Sequence, residues 1–522
     1  MSSKKHPPDS KQAQKRAMSK ALICSLLLAL TVSANALVAK SQEPKDHILL
    51  ITIDDLNDWI GCLSDTIESR HNRKHAVGEG HPQANTPNLD RLARRGVLFT
   101  NAHCQAPICR PSRTSIFSGL RPTTSGIYGN RGEYDAEGRL RPGEQVTWMT
   151  RRFQAAGYEI FTAGKLLHRG RNEPLGGTAP SFRTNQGPYP PEKLNVPESV
   201  TPARIWDIGA YPENEEDFND LRIAKWIAGK IREPYLPSDS PRFMALGFYN
   251  PHLPLFAPQK WFDAVPTRKE VVLSPMPEND LDDLPEIAKR IGTRVHYNQL
   301  VPWAIENEEN LRRLTQAYLA CTSAMDDALG EVIDALDDSD MANNTWIVVL
   351  SDHGWHLGEK NHIAKQTLWT RSTRVPMIIV PPKRIEDTPR GVRCNRPVEL
   401  LDVYPSLVDA LELAPATSDS ELDGLSLIPW LHNPEAPKER PAITTHYAHN
   451  HSLCDDRYRY TRYADGSEEL YDRLNDPHEF DNLADQVNSR EDLQTVIKRL
   501  SVWIPKNEPL GPDLVNDHLH TK

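Results

Sequence analysis

The chain has 522 residues, of which 38% are hydrophobic and 25% are charged, and its formal net charge is −10. This composition is ordinary for a large folded protein and excludes general disorder. The negative balance argues against nucleic acid as a partner, because phosphate backbones are bound by an excess of lysine and arginine.

The amino-terminal 36 residues have the pattern of an export signal. Basic residues precede the apolar run 21–30, and the Ala-Asn-Ala triplet 34–36 fits a cleavage site between small residues. We therefore expect residues 1–36 to be removed and the mature protein to be exported, either periplasmic or secreted. The apolar run is short and no later run approaches about 18 apolar residues, so no stable membrane span is expected in the mature chain. Both Met1 and Met18 stay open as the start.

The first predicted strand, His47–Ile53, ends in two adjacent acids. The run is short, apolar and rich in β-branched residues, as in a buried parallel strand. Asp54 and Asp55 follow directly, at the edge where open α/β sheets bind ligands. Their carboxylate oxygens suit a divalent cation such as calcium or magnesium, so the pair is a candidate metal site.

A short helix is predicted to begin near Cys109, with Pro111 in its first turn and Gly119 at its end. Cys109 then faces the N–H groups of the helix amino terminus, and Arg113 lies one turn further on. Together they predict a pocket for a tetrahedral anion with a potential nucleophile inside it. The alternative is a buried structural cysteine before an ordinary helix.

Two later predicted strands lead into basic residues. The strand 158–162 precedes Gly164-Lys165-Leu166-Leu167-His168, in which Lys165 and His168 can face one site. The strand 243–248 precedes an Asn-Pro-His-Leu-Pro segment that contains His252. Taken singly, such residues are more often solvated or structural.

The predicted strand 345–350 repeats the design of the first, since it runs into Asp352 and His353. We expect these two residues to join Asp54 and Asp55 around one cation. Lys365 follows a few residues later. A long amphipathic helix, predicted over 308–336 from apolar positions three and four apart, precedes this strand.

Strands and helices alternate along most of the chain. Further helices are predicted over 86–96, 144–156 and 399–413, the last interrupted at Tyr404-Pro405, and a further strand over 376–381. The alternation predicts an α/β fold in which helices sandwich a large, mainly parallel sheet. Strands over 442–447, 458–463 and 469–472, with a turn at Asp465-Gly466, predict a smaller antiparallel sheet. The expected division is a catalytic domain over 44–433 and a C-terminal α+β subdomain over 438–505.

The C-x-P-S-R pattern at 109–113 resembles the signature of type I sulfatases. The motifs G-K-x-x-H, N-P-H-x-P and S-D-H-G-W-x-L-G-E most resemble iduronate-2-sulfatase and its bacterial relatives, over roughly residues 47–484. The resemblance implies an alkaline-phosphatase/sulfatase-like fold and the conversion of Cys109 to formylglycine by a formylglycine-generating or maturase enzyme. It also implies one calcium ion, held by Asp54, Asp55, Asp352, His353 and the modified residue 109.

The resemblance further implies a role for each basic residue. The hydrated aldehyde at position 109 would attack the sulfur of a sulfate ester, while Lys165, Lys365 and Arg113 balance the charge. His252 would protonate the departing sugar oxygen. His168 would then take a proton from the second hydroxyl, so that sulfate leaves and the aldehyde is restored.

Two departures from the iduronate enzyme bear on the substrate. Tyr249-Asn250 stand where that enzyme has His-Lys, and Ile363 stands where it has tryptophan. The expected substrate is a sulfated saccharide, with 2-O-sulfated uronate of a polysaccharide or oligosaccharide as the first hypothesis. Two alternatives stay open: a phosphate or phosphonate ester hydrolase of the same superfamily, and a non-catalytic protein that binds sulfated glycans.

Overall fold

The computed structural model describes residues 46–64, 80–130, 147–170, 172–177, 182, 187–236, 239–292, 300–506 and 508. The predicted export signal at 1–36 lies outside the described residues, as does the beginning of the helix predicted over 144–156. Within these ranges, none of the helices combines the length and the apolar character that a membrane crossing needs.

The strands and α-helices follow the predicted alternation and are joined by short 3₁₀ turns. The strands are β1 (His47–Ile53), β2 (Val97–His103), β3 (Glu159–Gly164), β4 (Ile208–Ala210), β5 (Arg242–Phe248), β6 (Leu255–Ala257), β7 (Thr345–Ser351), β8 (His356–Leu357), β9 (Ile363–Ala364), β10 (Arg374–Val380), β11 (Val392–Cys394), β12 (Val398–Glu399), β13 (Ala442–Thr445), β14 (His451–Cys454), β15 (Tyr458–Arg462) and β16 (Glu468–Asp472). The α-helices are α1 (Pro87–Arg95), α2 (Cys109–Ser118), α3 (Pro122–Ser125), α4 (Met149–Ala155), α5 (Asn219–Arg232), α6 (Gln259–Ala264), α7 (Glu286–Gly292), α8 (Leu300–Ile305), α9 (Glu308–Asp337), α10 (Thr370–Thr373), α11 (Val403–Ala410), α12 (Ile428–His432) and α13 (Glu491–Ser501).

The large sheet has the strand order β11-β2-β10-β7-β1-β5-β3, and β12 also pairs with β2. Every pair is parallel except the two that β10 makes with β2 and β7. The mainly parallel sheet is thus confirmed. β1 lies between two parallel neighbours and all seven of its residues are buried, which explains its continuous apolar run.

Helices cover both faces of this sheet. Ile48 and Leu50 of β1 pack into one core with side chains of α2, α4, α11 and α12. Leu49 and Ile51 point to the opposite face, into a core with α1, α5 and α9. Successive strand side chains alternate between faces, so a strand with apolar residues on both faces requires this double cover.

The register of the central strands brings the predicted acids together. Ile53 of β1 pairs with Ser351 of β7, so Asp54 and Asp352 leave the sheet side by side. The backbone N–H of Asp55 then donates to Asp352 Oδ1 at 3.1 Å. This is the carboxyl edge of the parallel strands, as the sequence predicts.

A glycine pair brings the end of β3 close to the end of β5. Gly164 pairs with Gly247, and the N–H of Lys165 donates to Gly247 O at 2.9 Å. A Cβ on Gly247 would lie 1.9 Å from Lys165 O, so any other residue would push Lys165 away. Gly164 has φ of 65°, in agreement with the turn predicted there.

The C-terminal region forms a separate antiparallel sheet in the order β13-β14-β15-β16, which confirms the predicted small sheet. Its apolar face packs against α13, with Leu453, Tyr460 and Leu470 beside Leu493 and Leu500. The domain boundaries near 433 and 438 stay a prediction.

The helix predicted over 399–413 is interrupted at a different place from the one expected. The helix expected over 399–413 was to be interrupted at Tyr404-Pro405, but α11 runs through both residues. Pro405 is the third residue of α11, where its missing N–H has no helical partner to lose. The break instead lies between α11 and the preceding 3₁₀ turn, Leu400–Asp402.

Candidate active site

Cys109 is the first residue of α2 and is only 1% exposed. The helix has the predicted form, since Pro111 lies in its first turn. Gly119 has φ of 71° and its N–H donates to Ser115 O at 2.8 Å, which ends the helix. The thiol is therefore held at the positive end of a short, buried helix.

Three basic groups surround the sulfur of Cys109. Lys365 Nζ lies 3.1 Å from it, His353 Nε2 3.3 Å and Lys165 Nζ 3.9 Å. Burial alone would raise the pKa of the thiol, but Lys165, Lys365 and His353 outweigh it and hold the pKa well below its usual value. The site thus stabilises negative charge at position 109.

The same lysines bind the two acids that follow β1. Lys165 donates to Asp54 Oδ2, and Lys365 donates to Asp55 Oδ1 at 2.7 Å. Burial would raise the pKa of Asp54, but the charge of Lys165 prevails and keeps that pKa below its ordinary range. We call Asp54, Asp55, Cys109, Lys165, His353 and Lys365 the sheet-edge cluster.

Part of this cluster fits a divalent cation. Ligand atoms of Asp54, Asp55, Cys109 and His353 all lie within 4.8 Å of one another. Asp55 Oδ2 is buried and accepts no hydrogen bond from any described residue, so it offers an unused anionic oxygen. Carboxylate oxygens in such a group are the ligands that calcium prefers.

Asp352, the fifth predicted ligand, adjoins this group. Its Oδ1 accepts the N–H of Asp55 at 3.1 Å and its Oδ2 accepts Arg113 Nε at 2.7 Å. Burial outweighs these attractions and raises the pKa of Asp352 to about 6. His353 is also fully buried, yet Asp352 and its other anionic neighbours raise its pKa to about 9.

Arg113 lies behind the carboxylates. Its guanidinium donates to Asp352 Oδ2 at 2.7 Å and to Asp54 Oδ1 at 3.3 Å. The same group donates to the hydroxyl of Thr52 and to the carbonyls of Lys165 and Leu166. These contacts orient Asp54 and Asp352. The second role expected of Arg113, balancing the charge of the sulfate, stays a prediction.

The two predicted histidines lie on either side of this cluster. His168 lies close enough to Cys109 for the two groups to interact electrostatically, and burial lowers the pKa of its imidazole. His252 Nε2 lies 3.8 Å from Asp55 Oδ2, and its Nδ1 donates to Leu253 O at 2.5 Å. Both therefore reach the region that the sequence assigns to proton transfer.

Unusual backbone conformations hold Lys365 in place. Its neighbours Ala364 and Gln366 both have positive φ, 87° and 73°. The N–H of Gln366 donates to Pro107 O at 3.0 Å, and His362 Nε2 donates to Lys365 O at 2.9 Å. Such conformations are costly for residues other than glycine and concentrate at functional sites.

One site residue escaped the sequence analysis. Asp220, in the first turn of α5, accepts the N–H groups of Tyr249 at 2.8 Å and Asn250 at 2.9 Å. It thereby fixes the segment that carries His252. Burial raises the pKa of its carboxyl to about 6. An acid near the start of an amphipathic helix is a weak signal, because such acids are usually solvated and favour the helix dipole.

Comparison with known families places all of these residues in one region of similarity. Residues 46–413 match the family described as Sulfatase. Residues 358–504 match the family described as N-sulphoglucosamine sulphohydrolase, C-terminal. The first match contains every predicted site residue, and the second covers the small sheet and α13.

Individual relatives agree with these matches. A sulfatase of Formosa agariphila is 35% identical over 488 residues, which cover 90% of this chain and 88% of that protein. Human iduronate 2-sulfatase is 28% identical over 416 residues, covering 75% and 69%. A solved structure of a 2-O GAG sulfatase superposes with a TM-score of 0.59 at 21% identity, covering 90% and 96%, and shows the same alkaline-phosphatase/sulfatase-like fold.

Proposed function

The chain belongs to the sulfatase family and is a sulfuric ester hydrolase; from that premise we propose that it desulfates a saccharide with a nucleophile at position 109. One observation carries the proposal. The sulfur of Cys109 lies at a helix amino terminus within 3.9 Å of three basic groups, beside acids that fit a cation. A site of this kind stabilises both a bound anion and the negative charge of the nucleophile that attacks it.

Cys109 is the residue that we propose is converted to formylglycine. Two features support this: its place in the C-x-P-S-R pattern and the depressed pKa of its thiol, which favours oxidation. The conversion requires a formylglycine-generating or maturase enzyme as a partner. The hydrated aldehyde supplies the hydroxyl that attacks the ester sulfur.

We further propose that Asp54, Asp55, Asp352, His353 and residue 109 hold one calcium ion. The orphaned Asp55 Oδ2 and the closeness of the ligand atoms support this set. Bound calcium supplies positive charge that acidifies the attacking hydroxyl and attracts the sulfate. Arg113, Lys165 and Lys365 balance the charge of the three carboxylates, and a bound ion would add further positive charge to the site.

The remaining residues move protons and neutralise charge. Lys165 and Lys365 lie on the sulfur side of the site and would bind the sulfate oxygens. His252 would give a proton to the departing sugar oxygen. His168, which lies near position 109, would accept the proton whose loss expels sulfate and restores the aldehyde.

The proposed substrate is a 2-O-sulfated uronate at the end of a polysaccharide or oligosaccharide chain. The relation to iduronate 2-sulfatase supports this choice. The local concentration of basic residues on a chain of net charge −10 supports an anionic substrate. Export to the periplasm or beyond would bring the enzyme to such polymers. Sequencing the amino terminus of the mature protein tests whether the export signal is removed.

Two measurements test the proposed function. The mass of the tryptic peptide that contains residue 109, from protein produced with a formylglycine-generating enzyme, distinguishes thiol from aldehyde. A panel of defined sulfated sugars, with released sulfate measured by chromatography, then tests the substrate. We expect a strong preference for 2-sulfated uronate ends. Activity confined to 6-sulfated hexosamine or small alkyl sulfates would overturn the substrate, and faster hydrolysis of phosphate esters would favour the phosphatase alternative.

A further inference from the structure

A pocket opens beside His252. Its walls include three aromatic rings from separate segments, Tyr211, Phe218 and Phe256, together with Tyr249 and Asn250 from the segment that carries His252. We call it the aromatic pocket. We propose that it binds the sugar ring that departs with the ester oxygen, and that it contacts an uncharged face of that ring. This inference rests on the proposed function.

The aromatic pocket is adjacent to the sheet-edge cluster. His252 lines the pocket and also places its Nε2 3.8 Å from Asp55 Oδ2. The Tyr249 ring lies 5.9 Å from Lys165 Nζ. A sulfate held by the lysines therefore has its ester oxygen near His252, and the group bonded to that oxygen extends into the aromatic pocket.

The lining of the aromatic pocket selects the chemistry of its ligand. Apart from His252, its lining in the described part of the chain contains no lysine, arginine, aspartate or glutamate. The Tyr211 and Phe256 rings lie 6.0 Å apart at 69°, so they form two sides of a corner. Apolar walls with a few polar groups are typical of small-molecule sites, and a flat C–H face of a sugar fits them.

Asn250 supplies a polar group of fixed orientation. Its Nδ2 donates to Asp220 Oδ2 at 3.1 Å, and its N–H donates to the same oxygen at 2.9 Å. The remaining side-chain atom, Oδ1, is buried and has no hydrogen-bond partner among the described residues. The amide thus offers an acceptor, which suits a sugar hydroxyl and disfavours a carboxylate or a second sulfate.

The carboxylate of a uronate is therefore directed away from the aromatic pocket. The pocket instead recognises the shape of the sugar ring and one of its hydroxyl groups. Specificity at this position comes from fit and hydrogen bonding, because the described residues that line the pocket, His252 apart, carry no group of opposite charge.

The test compares substrate binding with binding of sulfate alone. Tyr211 is half-buried, so Tyr211→Ala removes a pocket wall at little cost in stability, while Tyr211→Phe keeps the ring. With the best sulfated sugar of the panel, we expect Tyr211→Ala to raise KM about tenfold, to leave kcat within about threefold, and to leave the Ki of inorganic sulfate unchanged. Tyr211→Phe should restore the wild-type KM. Trp503→Ala, which removes an exposed ring outside the pocket, is the matched control.

A second variant distinguishes an uncharged face from an anion. Asn250→Lys introduces a cation into the aromatic pocket, and we expect it to raise KM. A fall in KM would overturn the inference, since it would show that the pocket holds a carboxylate or sulfate. If the wild type is active and Tyr211→Ala leaves KM unchanged, the proposed role of the aromatic pocket is overturned, whereas the proposed function stands. A converted wild type that releases no sulfate from any sugar would overturn the proposed function and the inference with it.

Discussion

Two regions of this molecule contain fully buried ion pairs, but the regions differ in how completely the charged groups are hydrogen-bonded. In the small sheet, Arg459 donates to Glu479 Oε1 at 2.6 Å and to Leu368, Ser452 and Thr370. Both Glu479 oxygens accept hydrogen bonds, because Thr370 donates its N–H and its hydroxyl. At the sheet-edge cluster, by contrast, Asp55 Oδ2 accepts no hydrogen bond from the described residues, and three basic groups surround the thiol of Cys109.

The difference separates a structural charge network from a reactive one. A buried ion pair whose hydrogen bonds are all made is closed, so it can hold two segments together but has nothing left for a ligand. An incomplete group retains binding capacity, at a cost in stability that the surrounding sheet must offset. Burial and charge alone therefore do not mark the active site. The active site is marked instead by buried polar groups that lack hydrogen-bond partners and lie beside a nucleophile.

The largest effect on turnover should come from the centre of the sheet-edge cluster. Cys109→Ala removes the proposed nucleophile, and we expect sulfatase kcat to fall by at least about 10³-fold while the melting temperature changes little. Cys104→Ala, at a second buried free cysteine, is the control and should stay active. Substantial sulfate release by the alanine variant, measured by chromatography, would contradict the proposed mechanism.

Removal of calcium should have the next largest effect. Exhaustive chelation leaves three carboxylates at one sheet edge, so we expect loss of activity and a lower melting temperature, both restored by added calcium. At calcium about 100 times its Kd, the stabilisation would be about 2.7 kcal/mol. Asp54→Asn should abolish the calcium-dependent shift. Metal-free protein, verified by elemental analysis, that keeps its full rate and melting temperature would show that the ligands are misassigned.

A smaller effect is expected beneath the site. Asp220→Asn weakens the acceptor that fixes Tyr249 and Asn250, so His252 should lose its position. We expect kcat to fall about tenfold, while the Ki of inorganic sulfate stays unchanged. Asp217→Asn, at an exposed acid three residues earlier, is the matched control. A purely structural role would lower the melting temperature without this separation of kcat from sulfate binding.

The smallest effect on turnover is expected in the closed network. Glu479→Gln leaves Arg459 buried without its partner, which should destabilise the fold by about 3–5 kcal/mol. Activity per folded molecule and the calcium-dependent melting shift should both be retained. Chemical denaturation and active-site titration measure the two quantities. A specific loss of kcat without a loss of stability would remove the distinction between the two regions.

Much of the large sheet and most of the site could be predicted from local sequence. β1 and β7 are mostly apolar and buried at every position, and each runs directly into its acids, so the sequence predicts the strands and the ligands together. Lys165 and His168 follow a glycine turn, and Cys109 has a proline and a glycine at helix-specific positions. In each case the signal lies within about ten residues of the functional side chain.

Features that depend on distant contacts could not be predicted in this way. β2 carries Thr100, Asn101 and His103, so its sequence has no clear strand pattern, and it is buried because β10 pairs with it. Asp220 looks like an ordinary acid of a helix first turn until the loop after β5 binds to it. The position of Arg113 behind the carboxylates likewise depends on residues far along the chain.

The burial of Cys109 also limits when it can be modified. Its closest basic neighbours, His353 and Lys365, follow it by 244 and 256 residues. At ordinary rates of synthesis the ribosome needs roughly 12 to 50 seconds to make that stretch, and until it is made these two neighbours cannot surround the thiol. Once β7 joins β1, the side chain is 1% exposed and an enzyme cannot reach it. The proposed conversion would therefore compete in time with folding, and a chain that folds too early would keep its thiol.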